Sequence, residues 1–170
     1  MGKITDKNGL TEEEFLRQYD PDKYPKPSLT ADILIFRKTG EEIHLLMIRR
    51  KGHPYLGCLA LPGGFAESQE AIETSAGREL QEETGLTGQE LKLVGVYSRP
   101  GRDPRGWTVS VAFAAVVDGD LLKPVAGDDA ASVHWIPLCR GTDGGYHLKT
   151  EERIAFDHQE IIEDAARLYL

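Results

Sequence analysis

The 23 residues from Gly64 to Leu86, GFAESQEAIETSAGRELQEETGL, constrain this chain more than any other stretch of it. They read as one helix, opened by Pro62-Gly63-Gly64 and stopped by Gly85, where a residue without Cβ suits a left-handed C-terminal cap. Ile72, Ala76 and Leu80 recur at four-residue spacing and form a stripe for burial. Glu79 and Glu83, also four apart, share another face, with Glu82 beside them.

Three carboxylates on one small patch repel, and left alone one or more would take up a proton. The arrangement makes sense with a hard divalent cation among them, because Mg²⁺ prefers oxygen ligands and keeps several waters for substrate phosphates. Arg78 precedes Glu82 by one turn, within reach to hold that carboxylate in place. The plain alternative is a solvated acidic helix face, which is what most charge runs on helices are, and the run alone favours it. The complete pattern favours the cation. It reads Gly-x5-Glu-x7-Arg-Glu-Leu-x-Glu-Glu-x-Gly-Leu, with Gly64, Glu70, Arg78, Glu79, Leu80, Glu82, Glu83, Gly85 and Leu86 at fixed spacing. On these residues the chain resembles the Nudix hydrolases, whose signature box it matches at every position.

The rest of the chain reads as one domain behind an arm. Residues 1–28 are polar and end in the proline-rich run YDPDKYPKPS; a short helix is expected over Thr11 to Gln18, capped by Thr11 with Glu14 completing a capping box. Residues 29–170 form the domain. Thr30 to Phe36 and Ile43 to Ile48 are apolar strands separated by the turn-like Lys38-Thr39-Gly40-Glu41, hence a hairpin. Leu91 to Tyr97, Thr108 to Val117 and Ser132 to Pro137 supply three more strands, and Ile154 to Leu168 a closing amphipathic helix. Strands on both sides of one helix, with a second long helix at the end, predict an α/β fold: a mixed β-sheet sandwiched between helices. The resemblance implies the same architecture.

Length and composition fit one enzyme domain, since 170 residues with 40% hydrophobic content can bury a real core but not two ordinary ones. No apolar run is long enough for a membrane span, and the N-terminus has no signal-like stretch, so a cytoplasmic protein is expected. Cys58 and Cys139 lie in no paired motif and are expected to be small buried or half-buried residues. A net charge of −8 argues against a general nucleic-acid-binding surface.

The resemblance implies hydrolysis of a nucleoside diphosphate linked to another moiety, with a divalent metal, Mg²⁺ or Mn²⁺ in its place. Mapped by the box, Glu79, Glu82 and Glu83 are the implied metal ligands, joined by the carbonyl of Gly63. Glu82, Glu83 and Arg78 form the implied catalytic core. Two roles are open to Glu70: reaching metal-bound water, or bracing the loop before the helix. The general base is unassigned, with Asp128, Asp129, Asp143, Glu151 and Glu152 as candidates that no spacing rule separates.

A second segment, SRPGRDPRGWTVS from Ser98 to Ser110, is a turn-rich loop carrying Arg99, Arg102 and Arg105. Arginine forks grip phosphates at two points, although a plain surface loop explains the Pro and Gly equally well. The loop, Pro27-Ser28-Leu29-Thr30-Ala31-Asp32 and Phe156-Asp157-His158 are similar to the ADP-ribose pyrophosphatase branch and to the Nudix domains of nicotinamide-metabolism proteins. That similarity implies ADP-ribose as substrate, cleaved to AMP and ribose 5-phosphate, and a homodimer with sites near the interface. Another nucleotide, either a nucleoside triphosphate or a dinucleotide polyphosphate, is the second reading, and a non-catalytic nucleotide sensor the third. Regulators of this branch carry an appended DNA-binding domain and often an eroded box; the complete box here and the chain's Nudix-sized length lead to the expectation of catalysis.

Among aromatic residues, Tyr55, Phe65, Tyr97, Trp107 and Trp135 are candidates to stack on a base. Trp135, in an apolar strand, reads as core; Trp107, beside the arginine loop, is the preferred ligand contact, with half-buried packing as its alternative. His158 reads as a capping or packing residue, since nothing near it in sequence completes a catalytic constellation.

Overall fold

The computed structural model describes residues 4–119, 122–127, 130–142 and 144–170. In chain order the elements are α1 (Glu12–Gln18), β1 (Ser28–Thr39), β2 (Glu42–Arg50), β3 (Leu59–Ala60), β4 (Gly63–Phe65), α2 (Ile72–Thr84), β5 (Lys92–Tyr97), β6 (Thr108–Asp118), β7 (Ala130–Arg140), β8 (Tyr146–Leu148) and α3 (His158–Tyr169).

β1 organises the molecule. Its residues 30 to 36 are all buried, so the usual polar alternation of a strand is absent. Ala31, Ile33 and Ile35 point to one face, where Ala76 and Leu80 of α2 pack on them with Ile72 alongside. Leu34 and Phe36 point to the other, where Ile161, Ile162, Ala165 and Ala166 of α3 cover them together with Leu45 and Met47. Each large aliphatic side chain sealed in this way contributes roughly 1.5 to 3 kcal/mol. The sheet is therefore sandwiched between helices, as the sequence predicts. Its order is β5-β6-β1-β2-β7-β8, with β3 added to β2 and β4 to β1. β1 and β6 run parallel and the other pairs antiparallel, which makes the sheet mixed.

The β1–β2 hairpin closes at Gly40, and α2 ends at Gly85 with φ +70, as expected. α2 starts later than expected. Pro62-Gly63-Gly64 does not open it; Gly63–Phe65 instead forms β4 and pairs with Thr30 to Asp32. Gly63 has φ +153, and a Cβ there would strike the carbonyl of Ala31, so this glycine serves close strand approach. The closing helix likewise begins at His158 and not at Ile154, because Ile154 bridges to Leu59 and Phe156 turns the chain at φ +53.

α1 carries the expected capping box between Thr11 and Glu14 and has no buried residue. Cys58 is buried, whereas Cys139, expected at least half-buried, is exposed near the end of β7; both are free thiols. No helix among the described residues is long and apolar enough to cross a membrane.

Candidate active site

β4 and the loop after it lie beside the polar face of α2, and Arg78 ties the two together. Its Nε donates to both oxygens of Glu70 (3.2 and 3.3 Å), its Nη1 to Glu79 (2.7 Å) and Glu82 (3.0 Å), and its Nη2 to the Phe65 carbonyl (3.1 Å) and Glu70 (3.1 Å). These partners, Glu70 foremost, raise the guanidinium pKa further, and Arg78 in turn holds the Glu70 carboxyl below the usual range, helped by the Ser75 hydroxyl at 2.6 Å. Glu70 thus braces the loop before α2 against Ser75 and Arg78 of the helix, whose N-cap, Ala71, has no side-chain cap.

The other box carboxylates differ in environment. Glu82 is half exposed, Glu79 is mostly covered, and Glu83 is buried and accepts the N–H of Gly63 at 2.8 Å. Glu83 lies on the polar face of α2, and the closeness of β4 covers it. Among the described residues no three carboxylate, histidine or cysteine side chains are already gathered around one point, because Arg78 stands between Glu79 and Glu82. The donor set nevertheless suits a hard divalent cation, being all oxygen. Gly64 also leaves a cradle, since a Cβ there would run into the Glu79 carboxylate.

Glu79, Glu82, Glu83, Arg78 and Gly64 line a cavity of about 550 Å³. Glu67, Asp32 and Asp103 line it with them, and so do Arg50, Lys51, His53, Arg102 and Arg105, with Phe65 and Phe156. The carboxylates of α2 can attract a cation, and the cationic side chains that share the cavity can attract phosphates.

The arginine loop divides into three environments. Arg105 lines the cavity with its guanidinium over the rings of Phe65 (4.8 Å) and Phe156 (5.6 Å), held from below by Asp103 at 2.7 Å. Burial would raise the Asp103 carboxyl, but the hydrogen bonds from Arg105 prevail and hold it below the usual range. Arg102 is buried and grips Asp157 with two hydrogen bonds, 2.8 and 2.6 Å. Burial works against its charge, yet Asp157 and Asp32 outweigh it and raise its pKa. Arg99 lies on the outside, paired with Glu160 of α3 at 3.1 Å, and does not line the cavity.

Trp107 does not line it either. It is 55% exposed and forms a separate shallow concavity with Pro100 and Pro104, while its carbonyl accepts the N–H of Ser28. Trp135 is partly buried and packs against the core with the Arg37 guanidinium 4.5 Å from its ring, and Tyr97 donates its hydroxyl to Asp164. Tyr55 packs on Phe156, ring centroids 4.7 Å apart. Of the candidate general bases, Asp128, Asp129 and Asp143 lie outside the described residues; Glu151 and Glu152 do not line the cavity, and Glu152 pairs with Arg49 at 2.5 Å.

Sequence reasoning missed Asp32, Asp103 and Phe156 as cavity residues. Asp32 and Phe156 lie in segments noted only for their similarity to one branch, and nothing in local spacing marks side chains brought together from β1, the arginine loop and the start of α3.

The NUDIX domain model matches residues 26–147. The chain belongs to the Nudix family. It is 40% identical to the ADP-ribose pyrophosphatase of Methanocaldococcus jannaschii, over 85% of this chain and 76% of that protein. It is 34% identical to the ADPR responsive transcriptional repressor NtrR of Acinetobacter baylyi, over 95% of this chain, and spans 62% of that repressor's length. The NUDIX domain of Shewanella oneidensis NrtR, solved with ADP ribose, superposes with a TM-score of 0.79 at 29% identity, covering 95% of this chain and all of that domain. The mixed sheet between α2 and α3 is the Nudix fold, and the chain is a Nudix hydrolase by these likenesses.

Proposed function

We propose that this Nudix hydrolase cleaves ADP-ribose to AMP and ribose 5-phosphate, using Mg²⁺, which Mn²⁺ can replace. The observation that carries the reading is a cavity lined by both the α2 carboxylates and Arg105, Arg50 and Lys51, in a chain 40% identical to an ADP-ribose pyrophosphatase. Glu79, Glu82, Glu83 and the carbonyl of Gly63 would hold the cation, with Glu70 bracing them through Arg78. Once bound, the cation supplies charge neutralisation at the pyrophosphate and a bound water of lowered pKa.

The chain's own residues do the rest. Arg78 holds Glu79 and Glu82 aimed together. Arg105, stiffened between two rings and Asp103, presents a preorganised cationic edge to the phosphates. Arg102 acts on the loop's shape through Asp157 and not by direct grip. Arg99 and Trp107 lie outside the cavity and are not part of this grip. A turnover panel of ADP-ribose, dinucleotide polyphosphates and nucleoside triphosphates tests the assignment.

A sensing role is the second reading, favoured by the likeness to an ADPR-responsive repressor. It requires ADP-ribose binding with negligible turnover, and the complete set of box carboxylates weighs against it. The same proposal includes a cytoplasmic homodimer in which the arm contacts a second subunit, since Phe15, Leu16, Tyr19 and Tyr24 are all exposed in the single chain.

A further inference from the structure

His158 is the first residue of α3 and is buried, 4% exposed, beside the cavity. Its surroundings single out both ring nitrogens. The N–H of Leu61 donates to Nδ1 at 2.9 Å, so Nδ1 is bare and the ring proton is on Nε2. Nε2 faces Asp32 Oδ1 at 3.5 Å, and Asp32 also accepts from the Ser110 hydroxyl and lies 3.7 Å from Arg102.

The backbone that the ring holds is the approach to Gly63. Leu59 pairs with Arg153 and Ala155, the Pro62 carbonyl accepts from Ile33, and the Gly63 N–H donates to Glu83. Strand-like pairing along residues 153–155 stops at Phe156, where the chain turns into α3. At Leu61 the imidazole supplies the acceptor that a continuing strand would have provided. Asp32, opposite Gly63 in the β1–β4 register, fixes the ring's other edge.

We propose that His158 is a positioning residue for the hydrolytic site: by accepting from Leu61 and facing Asp32 it sets where Gly63 stands against the acidic end of α2. A satisfied core histidine would need only its packing. Positioning needs Nδ1 as an acceptor at that place, and substitutions separate the two. His158→Asn keeps an acceptor near Nδ1; His158→Gln places its amide near Nε2 and loses it.

The inference rests on the hydrolase reading. His158→Gln should lower kcat about tenfold or more with KM changed less than about threefold, and weaken Mn²⁺ binding, followed by water-proton relaxation, by a factor of about ten, as loss of groups that orient metal ligands does. His158→Asn should recover most of both. Wild-type kcat and Mn²⁺ affinity in His158→Gln, or equal impairment of the two variants, would overturn the proposal. Should neither variant fold, ring ¹⁵N spectra of the wild-type protein decide: an Nε2-protonated neutral ring with a slowly exchanging Leu61 amide supports it, and an Nδ1-protonated ring overturns it. The Mn²⁺ and tautomer readouts are the same whichever nucleotide is cleaved, so failure of the substrate assignment remains distinguishable.

Discussion

The Glu83 carboxylate, in the last turn of α2, accepts the backbone N–H of Gly63 at 2.8 Å, twenty residues back in the chain. One side chain thus belongs both to the acidic cluster and to the contact that holds β4 against the helix. Changes there act on chemistry and on structure together, whereas Glu82, half exposed, carries far less structure.

Glu82→Gln is expected to stay folded and lose turnover on the order of a hundredfold or more, because it removes charge from the cation's surroundings. Glu83→Gln should behave similarly, since its amide oxygen can still accept from Gly63. Glu83→Ala should in addition cost about 1 to 3 kcal/mol by leaving that N–H unpaired. Circular dichroism melts and kcat measured on the same preparations check all three.

The two cavity arginines should fail in different ways. Arg105→Ala is expected to raise KM about tenfold or more, as a charge-assisted contact worth roughly 1.5 to 3 kcal/mol is lost, and to lower the melting temperature as well because Asp103 loses its cation. Arg102→Ala should destabilise by about 3 to 5 kcal/mol, because it leaves Asp157 and Asp32 buried without their cation. Urea unfolding and steady-state kinetics of both variants separate the roles.

His158 gives stability a pH dependence. Burial is the main cause that lowers its pKa, with Arg102 and Arg50 adding to it and Asp32 and Asp157 opposing. The unfolded chain therefore takes up this proton first. The contribution is fully present above the free value near 6.5 and is lost as pH falls below it, with a slope of up to about 1.4 kcal/mol per unit. Glu70 and Asp103, both held low, lose their contributions only at more acid pH, below the ordinary carboxylate range. Urea midpoints between pH 5 and 8 should fall toward acid in the wild type and less steeply in His158→Asn.

Much of this was legible in the sequence because it is local. The stripe of Ile72, Ala76 and Leu80, the cap at Gly85, the Thr11 capping box and the hairpin at Gly40 each depend on residues a few positions apart. What escaped is set by distance. β3, β4 and β8 are two or three residues long and exist only as partners of longer strands. Nothing near Arg102 in sequence announces Asp157, fifty-five residues on, as the partner that turns a presumed phosphate grip into a buried brace.

The arm supplies a test of assembly. Deleting residues 1–26 is expected to loosen a dimer and reduce activity, although the deleted stretch contains no box residue. Light scattering of full-length and shortened proteins checks it, and a monomeric full-length protein would contradict it.

The central claim is the reaction itself. Incubation with ADP-ribose and Mg²⁺, followed by chromatography of the products, should yield AMP and ribose 5-phosphate, with kcat/KM well above that for any nucleoside triphosphate and activity abolished by exhaustive EDTA treatment. Full activity after EDTA, or more efficient release of pyrophosphate and a nucleoside monophosphate from a triphosphate, would contradict it.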